Sequence, residues 1–329
     1  MRAAVYSIQP YERRYFDMLN IENKHELVYF EAPLNADITD LAKGFEAVCI
    51  FVCDRLNSEA IDKLAKNGVR LINLRSAGYN HVDIEAAKRQ NIVVLRVPAY
   101  PPQAVAEQAV ALILSLNRKI HKVYNRVREG NFSLEGLMGF NLYGKTVGIV
   151  GTGKIGTAFC KIMLGFGCKV VAYDIVESIQ LKAQGVEYMD LDGVLKVSDI
   201  ISLHCPLTPV THYLFDRAAF DKIKKGAMLI NTSRGGLINT KHAIEALKTG
   251  KLGLLGIDVY EQEEGLFFKN LSEIIIQDDL IERLMTFHNV LITPHQGFFT
   301  NEAVEQIIQT TLKNFTDFEN NVSLDNEVM

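Results

Sequence analysis

The sequence of 329 residues predicts an α/β fold with two Rossmann-like or flavodoxin-like domains, each built on a parallel sheet and separated by a cleft. Three observations lead to this prediction. Short apolar runs alternate with helical patterns through the first hundred residues, a second alternating series begins at "KTVGIVG", and one long helical pattern lies between the two series. Alternation of this kind is typical of parallel β-α units.

The first series supplies five strands and four helices. Its strands are predicted in "AAVYSI", "ELVYFEA", "AVCIFV", "RLINLRS" and "IVVLRVP". Its helices are predicted in "YERRYFDMLN", "DITDLAKGF", "NSEAIDKLAKNG" and "DIEAAKRQN". Asn57 or Ser58 is a suitable N-cap for the third of these helices, and Gly68 is a suitable end.

A long helix is predicted between the two series. It follows the prolines of "AYPP" and runs from about Gln103 to about Glu129. Because its first half is apolar nearly all round, this half should be buried. We therefore interpret the helix as the connection between the domains.

The second series contributes six predicted strands, and the chain then ends in an amphipathic helix. The strands are predicted in "KTVGIVG", "KVVAYD", "DIISLHC", "AMLINTS", "LGLLGIDV" and "NVLITPH". The final helix, "NEAVEQIIQTTLKNFTDFEN", should cover a face of the first domain, which makes that domain discontinuous. We expect a substrate domain of residues 1–99 and 298–329, and a cofactor domain of residues 100–297. Two crossings between domains would create a cleft and a hinge.

Composition excludes several classes of protein. The net charge of −4 provides neither a basic footprint for nucleic acid nor a polybasic membrane patch. The five cysteines are odd in number and form no C-x-x-C pair, which favours reduced thiols in a cytoplasmic protein over a disulfide or metal framework. The N-terminus lacks the apolar core of a signal peptide, and no apolar run approaches the roughly 18 residues of a membrane span.

A glycine array after the first strand of the second series predicts a dinucleotide site. Gly151, Gly153 and Gly156 form G-x-G-x-x-G between a strand and a helical pattern, and the next strand ends in Asp174. The glycines permit a tight turn, approach of the backbone to a pyrophosphate and close packing of helix on strand. Asp174 has about the spacing of a ribose-binding carboxylate, and Ile175 instead of arginine follows it, which favours NAD over NADP. The alternative is a tight βα turn that binds no ligand.

Three polar residues follow later strands of this series. Arg234 comes after "AMLIN", Glu263 lies five residues beyond Asp258, and His295 comes after "VLITP". A guanidinium can bind a carboxylate and polarise a carbonyl, and an imidazole can deliver a proton near neutral pH. A neighbouring carboxylate would orient the imidazole and favour its protonated form. Taken singly, Arg234 could be a surface arginine, Glu263 part of a solvated acidic run and His295 a structural histidine. Their joint placement after a dinucleotide loop favours hydride transfer to a 2-oxo acid.

Seven stretches, spread over nearly the whole chain, are specific when taken together: "LRSAGYNHVD", "VPAYPPQAVAEQAVALIL", "GIVGTGKIG", "LHCPLTPVTHYLF", "NTSRGGLINT", "GIDVYEQEEGLFF" and "NVLITPHQGFFT". Through them the chain resembles the D-isomer-specific 2-hydroxyacid dehydrogenase family, most closely its bacterial fermentative D-lactate dehydrogenases. The resemblance implies NAD-dependent, reversible reduction of pyruvate to D-lactate.

The resemblance also implies roles for individual residues. Arg234 would bind substrate, His295 would donate the proton and Glu263 would be the partner of His295, without a metal. The implied cofactor contacts are Gly151, Gly153, Lys154, Ile155, Gly156, Asp174, Cys205, Pro206, Thr211, Thr232, Ser233, Arg234 and Asp258. The implied substrate contacts are Phe51, the backbone N–H groups of Ala77 and Gly78, Tyr100, Arg234, His295 and Phe298. Some relatives have asparagine at the position of Thr211 and tyrosine at that of Phe51.

Two other functions remain open from the sequence. One is a dehydrogenase for a larger 2-oxo acid such as phenylpyruvate, since pocket volume depends on packing. The other is an NAD-sensing binding protein, because transcriptional corepressors that resemble this family keep the fold and the three catalytic residues. The resemblance implies a small 2-oxo or 2-hydroxy acid as substrate. It also implies a homodimer formed through the long helix, or a higher homo-oligomer.

Overall fold

A computed structural model describes residues 1–21 and 24–328. The strands, in chain order, are β1 Arg2–Val5, β2 Glu26–Tyr29, β3 Ala47–Ile50, β4 Leu71–Leu74, β5 Val93–Leu95, β6 Thr146–Val150, β7 Lys169–Tyr173, β8 Glu187–Tyr188, β9 Ile200–Leu203, β10 Ala227–Asn231, β11 Leu252–Ile257 and β12 Val290–Ile292. The α-helices are α1 Pro10–Leu19, α2 Ser58–Lys66, α3 Ile84–Arg89, α4 Pro102–Arg118, α5 Ile120–Arg128, α6 Lys154–Gly165, α7 Ile179–Ala183, α8 Leu191–Val197, α9 Arg217–Lys222, α10 Thr240–Lys248, α11 Asp279–Met285 and α12 Asn301–Glu319. Short 3-10 helices cover Thr39–Ala42 and Gly235–Leu237.

These elements form two compact units. The first unit contains residues 1–101 and 299–329, and the second contains residues 102–298. The first unit has a five-stranded sheet in the order β2-β1-β3-β4-β5, and the second has a seven-stranded sheet in the order β12-β11-β10-β9-β6-β7-β8. All strand pairs within both sheets are parallel, which confirms the prediction of two α/β domains with parallel sheets.

The last helix belongs to the first unit and is fixed there by buried amides. Helix α12 packs against α1 and β4. Asn73 of β4 donates to the Thr311 carbonyl at 2.9 Å and accepts from Asn314 Nδ2 at 3.0 Å. Because these side chains are buried, their mutual hydrogen bonds avoid the cost of unpaired polar groups and set the position of α12 on the sheet.

The order of each sheet identifies the edge at which a ligand should bind. In the second unit the strand order reverses between β6 and β9, and in the first unit it reverses between β1 and β3. Open parallel sheets bind ligands outside the carboxyl ends of the strands at such reversals. A ligand site is therefore expected at the segments that follow β6, β9, β1 and β3.

The long connecting helix was predicted wrongly as one element. Lys119 adopts a left-handed conformation, with φ of 52°, and separates α4 from α5. The segment at residues 138–140 explains the break, since Asn117 Nδ2 donates to the Phe140 carbonyl at 2.7 Å and Lys119 Nζ donates to the Met138 carbonyl at 2.8 Å. The apolar α4 ends where this segment packs against it, whereas no residue of α5 is buried.

The prediction of a helix in "DITDLAKGF" was also wrong. Only the single 3-10 turn Thr39–Ala42 forms there. Two of its residues are buried, while Leu41 is exposed, so the segment has too short an apolar face to stabilise a longer helix. Over the described part of the chain, no helix is both long and apolar enough to span a membrane.

Candidate active site

The glycine loop is shaped by close backbone packing at the β6–β9 reversal. Gly151 has φ of +95°, and a Cβ on this residue would lie 2.6 Å from the backbone nitrogen of Cys205. A Cβ on Gly156 would lie 2.0 Å from the Gly151 carbonyl oxygen, whereas a Cβ on Gly153 would meet nothing within 4 Å. Gly151 and Gly156 are thus required by packing, and Gly153 borders open space that a ligand could approach.

Helix α6 presents its amino end at this loop. Its N-cap is Gly153, which has no side chain to accept a hydrogen bond from the first turn. The first-turn N–H groups, including those of Lys154 and Ile155, therefore have no side-chain cap, and the helix dipole makes this end positive. This arrangement fits the pyrophosphate of a dinucleotide.

Asp174 follows β7 and is held beside the glycine loop. Its Oδ2 accepts from the backbone nitrogen of Thr152 at 2.5 Å and from Thr152 Oγ1 at 3.0 Å, and its Oδ1 accepts from the Val176 nitrogen at 3.1 Å. Partial burial raises the pKa of this carboxyl, but the hydrogen bonds outweigh burial and hold the pKa below its ordinary value. The ionised carboxylate is a suitable acceptor for ribose hydroxyl groups.

The remaining cofactor candidates lie after β9 and β10. Cys205 is buried, Pro206 is exposed, and Thr211 Oγ1 donates to the Pro206 carbonyl at 2.7 Å. Ser233 Oγ donates to the Cys205 carbonyl at 2.6 Å, which joins the two segments. Thr232 Oγ1 is buried and has no hydrogen-bond partner among the described residues, so it could donate to or accept from a bound group.

Arg234 lies three residues beyond β10 in a turn that packs tightly on the next segment. A Cβ on Gly235 would lie 2.0 Å from the carbonyl carbon of Tyr260, so only glycine fits there. Asn231 Nδ2 donates to the Arg234 carbonyl at 2.9 Å and fixes the turn. The guanidinium is half-buried and donates to the Ser233 carbonyl at 2.7 Å, which leaves further donors for an anion.

Glu263 and His295 form a hydrogen-bonded pair. His295 Nδ1 lies 3.0 Å from Glu263 Oε1, and Glu263 Oε2 accepts from the Tyr260 nitrogen at 3.1 Å. Tyr260 is in turn fixed by its hydroxyl, which donates to Asp278 at 2.8 Å. Because an ionised carboxylate only accepts, Nδ1 keeps its hydrogen and the proton that His295 gains or loses is on Nε2. This arrangement can exchange a proton at Nε2.

His295 has a backbone conformation that is unusual for a residue other than glycine. Its φ is +56°, in the left-handed region. The carboxylate of Asp258 fixes the following turn by accepting from the Gln296 nitrogen at 2.9 Å and from the Gly297 nitrogen at 2.7 Å, and it also accepts from Thr293 Oγ1. Burial raises the pKa of Asp258, and the hydrogen bonds from the turn offset only part of this effect. The carboxylate of Asp258 is thus occupied by the turn that carries His295.

The substrate candidates of the first unit follow β3, β4 and β5. Ser76 Oγ donates to the Gly78 carbonyl at 2.7 Å, and Arg96 donates to the Ala77 carbonyl at 2.9 Å. The bond to the Ala77 carbonyl fixes the peptide group that also carries the Gly78 N–H, and the bond to the Gly78 carbonyl fixes the next peptide group along the chain. Phe51 is buried directly after β3, and Tyr100 is half-buried near the end of the segment that follows β5. Phe298 is half-buried and belongs to the second unit.

A buried polar cluster supports Phe51. Asp54 Oδ2 accepts from the Phe51 nitrogen at 2.5 Å, and its Oδ1 accepts from Ser7 Oγ at 2.7 Å and from the Leu34 nitrogen at 2.6 Å. Burial raises the pKa of Asp54 to about 6, although these hydrogen bonds oppose the shift. The fully buried guanidinium of Arg75 lies 5.4 Å from the centre of the Phe51 ring. Phe51 is therefore held from its backbone and from its ring.

Sequence reasoning missed the residues that hold the predicted ones in place. Thr152 fixes Asp174, and Tyr260 fixes Glu263. Asp258, which the family resemblance implies only as a cofactor contact, also fixes the turn of His295. Only Thr152 carried a usable signal, since it lies inside the glycine array. The other contacts depend on which loops meet at the edge of the sheet. Among the described residues no cluster of His, Cys, Asp or Glu has the arrangement of a metal site.

Comparisons with known proteins bear on this geometry. Residues 110–297 match the family model of the D-isomer specific 2-hydroxyacid dehydrogenase, NAD binding domain. The chain is 49% identical to the D-lactate dehydrogenase of Escherichia coli over 329 residues, which covers 100% of both chains. The chain belongs to the D-isomer-specific 2-hydroxyacid dehydrogenase family.

Solved structures of other family members agree with this assignment. The pyruvate reductase of Chlamydomonas reinhardtii has a TM-score of 0.93 at 43% identity, with 99% of this chain and 98% of that chain covered. The D-lactate dehydrogenase of Aquifex aeolicus, solved with NAD and lactic acid, has a TM-score of 0.87 at 32% identity, with 97% and 96% covered. This D-2-hydroxyacid dehydrogenase is accordingly an enzyme, with NAD as cofactor and its NAD-binding domain in the second unit.

Proposed function

We propose that the protein is an NAD-dependent D-lactate dehydrogenase that reduces pyruvate reversibly to D-lactate. The observation that carries the proposal is the Glu263–His295 pair beyond β11 and β12, with Arg234 beyond the neighbouring β10, in the same sheet as the glycine loop. Carboxyl ends of parallel strands lie at one edge, so the groups for binding, protonation and cofactor attachment share that edge. The names of the Escherichia coli and Chlamydomonas reinhardtii relatives support lactate and pyruvate as the substrate pair.

The protein's own groups would divide the work as follows. A bound reduced nicotinamide supplies the hydride that the carbonyl carbon receives. Arg234 binds the carboxylate of the 2-oxo acid and polarises its carbonyl, because a planar guanidinium can do both. His295 gives the proton on Nε2 to the carbonyl oxygen, and Glu263 stabilises the imidazolium before this transfer. The oxo acid thus gains a hydride on carbon and a proton on oxygen, and the neutral His295 takes a new proton from solvent.

The cofactor would be held by Gly151, Gly153 and the first turn of α6 at its pyrophosphate, and by Asp174 at its ribose. Ala77 and Gly78 would donate backbone N–H groups to the substrate carboxylate. The remaining contacts proposed from the family resemblance are Cys205, Pro206, Thr211, Thr232, Ser233 and Asp258 for the cofactor, and Phe51, Tyr100 and Phe298 for the limits on substrate size.

One assay tests the proposal. Purified protein is mixed with NADH and pyruvate, the loss of NADH absorbance is followed, and the product is assayed separately for D- and L-lactate. D-lactate formation supports the proposal. A higher kcat/KM for phenylpyruvate would instead indicate a dehydrogenase of larger 2-oxo acids. NADH binding without oxidation by any 2-oxo acid would indicate an NAD-sensing binding protein.

We also propose that the chain forms a homodimer through α5. Ile120, Tyr124 and Val127 are 56%, 60% and 43% exposed and lie on one side of this helix, at the spacing of adjacent turns. Apolar side chains that are exposed side by side favour an interaction surface more than scattered ones do. Light scattering should give twice the mass of the chain for the wild type, and Tyr124→Glu should shift the mass toward that of one chain. A wild-type protein with the mass of one chain would refute the dimer.

A further inference from the structure

We propose that Tyr188 and Thr152 are positioning residues that determine cofactor specificity, because they hold the Asp174 carboxylate through a directed chain of hydrogen bonds. The chain sets the affinity for NADH and the preference for NADH over NADPH. This inference rests on the proposed function, since it takes Asp174 as the group that receives the ribose hydroxyls.

The chain of hydrogen bonds runs through four residues of the second unit. The Ser178 nitrogen donates to the Tyr188 hydroxyl at 3.1 Å. The Tyr188 hydroxyl donates to Thr152 Oγ1 at 2.9 Å, and Thr152 Oγ1 donates to Asp174 Oδ2 at 3.0 Å. A two-residue edge strand, β8, thereby contacts the glycine loop and the end of β7.

The direction of each hydrogen bond follows from the two ends. Asp174 is held ionised and can only accept, so the Thr152 hydroxyl must donate to it. The Thr152 oxygen is then left as an acceptor, and the Tyr188 hydroxyl must donate to it. The oxygen of Tyr188 accepts in turn from the backbone N–H of Ser178, which can only donate. No hydroxyl has a second orientation that keeps all three bonds, and aligned bonds of this kind strengthen one another.

The surroundings of Tyr188 fix its position. Tyr188 lies in β8 and pairs with Ala172 of β7, two residues before Asp174. The Lys182 ammonium lies 5.7 Å from the centre of its ring, and the Ser178 side chain caps α7 by accepting from the Leu181 nitrogen. The hydroxyl therefore reaches Thr152 from a fixed ring, so Thr152 presents the carboxylate in one orientation.

A fixed and ionised carboxylate discriminates between the two cofactors. Ribose hydroxyls can donate to it, whereas the 2′-phosphate of NADPH would meet a like charge. Loss of the Tyr188 hydroxyl leaves the charge in place but loosens its orientation. NADH binding should then weaken while NADPH binding, which gains nothing from the carboxylate, should change less.

The test measures Kd values of purified variants by titration with NADH and with NADPH, followed by the fluorescence of the reduced nicotinamide. Tyr188→Phe should raise the Kd for NADH by about 2- to 10-fold, the range for one neutral hydrogen bond. Thr152→Val removes the direct hydrogen bond to the charged Asp174 and should raise the Kd for NADH by about 10-fold or more. Thr152→Ser keeps the hydroxyl and should bind nearly as well as wild type. Tyr143→Phe, which removes the hydroxyl of an exposed tyrosine in the same unit, is the control.

A double-mutant cycle separates this inference from the proposed function. If Tyr188 acts through Asp174, Tyr188→Phe should have no further effect on NADH binding in the background of Asp174→Ala. An unchanged Kd for NADH in Asp174→Ala would refute the assignment of Asp174 itself. If Asp174→Ala weakens binding but Tyr188→Phe only lowers Tm, or weakens binding equally in both backgrounds, the positioning role is overturned while the NAD site stands.

Discussion

Glu263→Gln is the most direct test of the catalytic pair, because it removes a charge and keeps the size of the side chain. Glu263 now accepts from two donors, His295 Nδ1 at 3.0 Å and the Tyr260 nitrogen at 3.1 Å. Glutamine has one acceptor oxygen and one NH₂ group. It can therefore satisfy only one of these donors, and its NH₂ group would face the other.

The expected magnitude follows from these two contacts. A hydrogen bond to a charged group contributes about 1.5–3 kcal/mol, and a neutral one about 0.5–1.5 kcal/mol. The change from charged to neutral at His295 costs about 1–2 kcal/mol, and the donor left facing NH₂ adds to this cost. We expect kcat/KM for reduction of the 2-oxo acid to fall roughly 10- to 200-fold, since about 1.4 kcal/mol corresponds to tenfold.

The assay is the initial rate of NADH oxidation at saturating NADH, with the 2-oxo acid varied. Glu264→Gln is the matched control, since it makes the same change at an exposed carboxylate one residue further along the chain. Its kcat/KM should stay near wild type, and the Kd for NADH should be unchanged in both variants. A Glu263→Gln variant with wild-type kcat/KM, or equal losses in the two variants, would show that Glu263 is not the partner of His295 in catalysis.

Three other substitutions test the cofactor site, the substrate anion site and the buried cluster. Asp174→Ala should raise KM for NADH much more than for NADPH in steady-state assays, because the ribose loses its acceptor while the 2′-phosphate loses a like charge. A wild-type enzyme that used both cofactors equally would contradict the role of Asp174. Arg234→Lys should lower kcat/KM about 10- to 200-fold, since lysine lacks the planar fork of the guanidinium. If the variant keeps the wild-type kcat/KM, Arg234 is a surface residue that does not bind substrate. Asp54 binds its proton more tightly in the folded protein, with a pKa of about 6 against 3.8, so its contribution to stability is fully present below pH 3.8 and falls as the pH rises through 6. Asp54→Asn removes this fall, and the free energy of unfolding of variant and wild type is compared by urea titration at pH 4 and at pH 7. Between these two pH values the variant should gain about 2.4 kcal/mol relative to wild type, and a constant difference would refute the assignment.

The parts of the fold that could be predicted are those with a strong local pattern. The apolar runs that became β6 and β7 are bounded by polar residues and by the glycine array, so their period and ends were readable. The break at Lys119 was not readable, because no proline or glycine marks it in the sequence. It depends on the segment at residues 138–140, which binds the end of α4 from a distant part of the sequence.

The candidate site shows the same division between local and distant information. The spacing after Gly151 identified Asp174 as a candidate, because both residues belong to one βαβ unit with a fixed geometry. Tyr188 could not be found in this way. Its two-residue strand is shorter than any periodic signal, and its role depends on a hydroxyl that reaches Thr152 across the sheet edge. Chains of hydrogen bonds between loops are set by tertiary structure and leave no pattern in the sequence.

Asp258 illustrates how the structure changes the interpretation of a residue that the family resemblance places beside the cofactor. Its carboxylate is 1% exposed and accepts from the Gln296 and Gly297 nitrogens and from Thr293 Oγ1. A left-handed conformation at a residue other than glycine costs on the order of 1 kcal/mol, and His295 adopts one in the middle of this turn. Hydrogen bonds to a charged acceptor contribute about 1.5–3 kcal/mol each, so the three bonds to Asp258 are sufficient to hold the turn. The carboxylate of Asp258 therefore fixes the turn that carries His295, in addition to the cofactor contact proposed for it from the family resemblance.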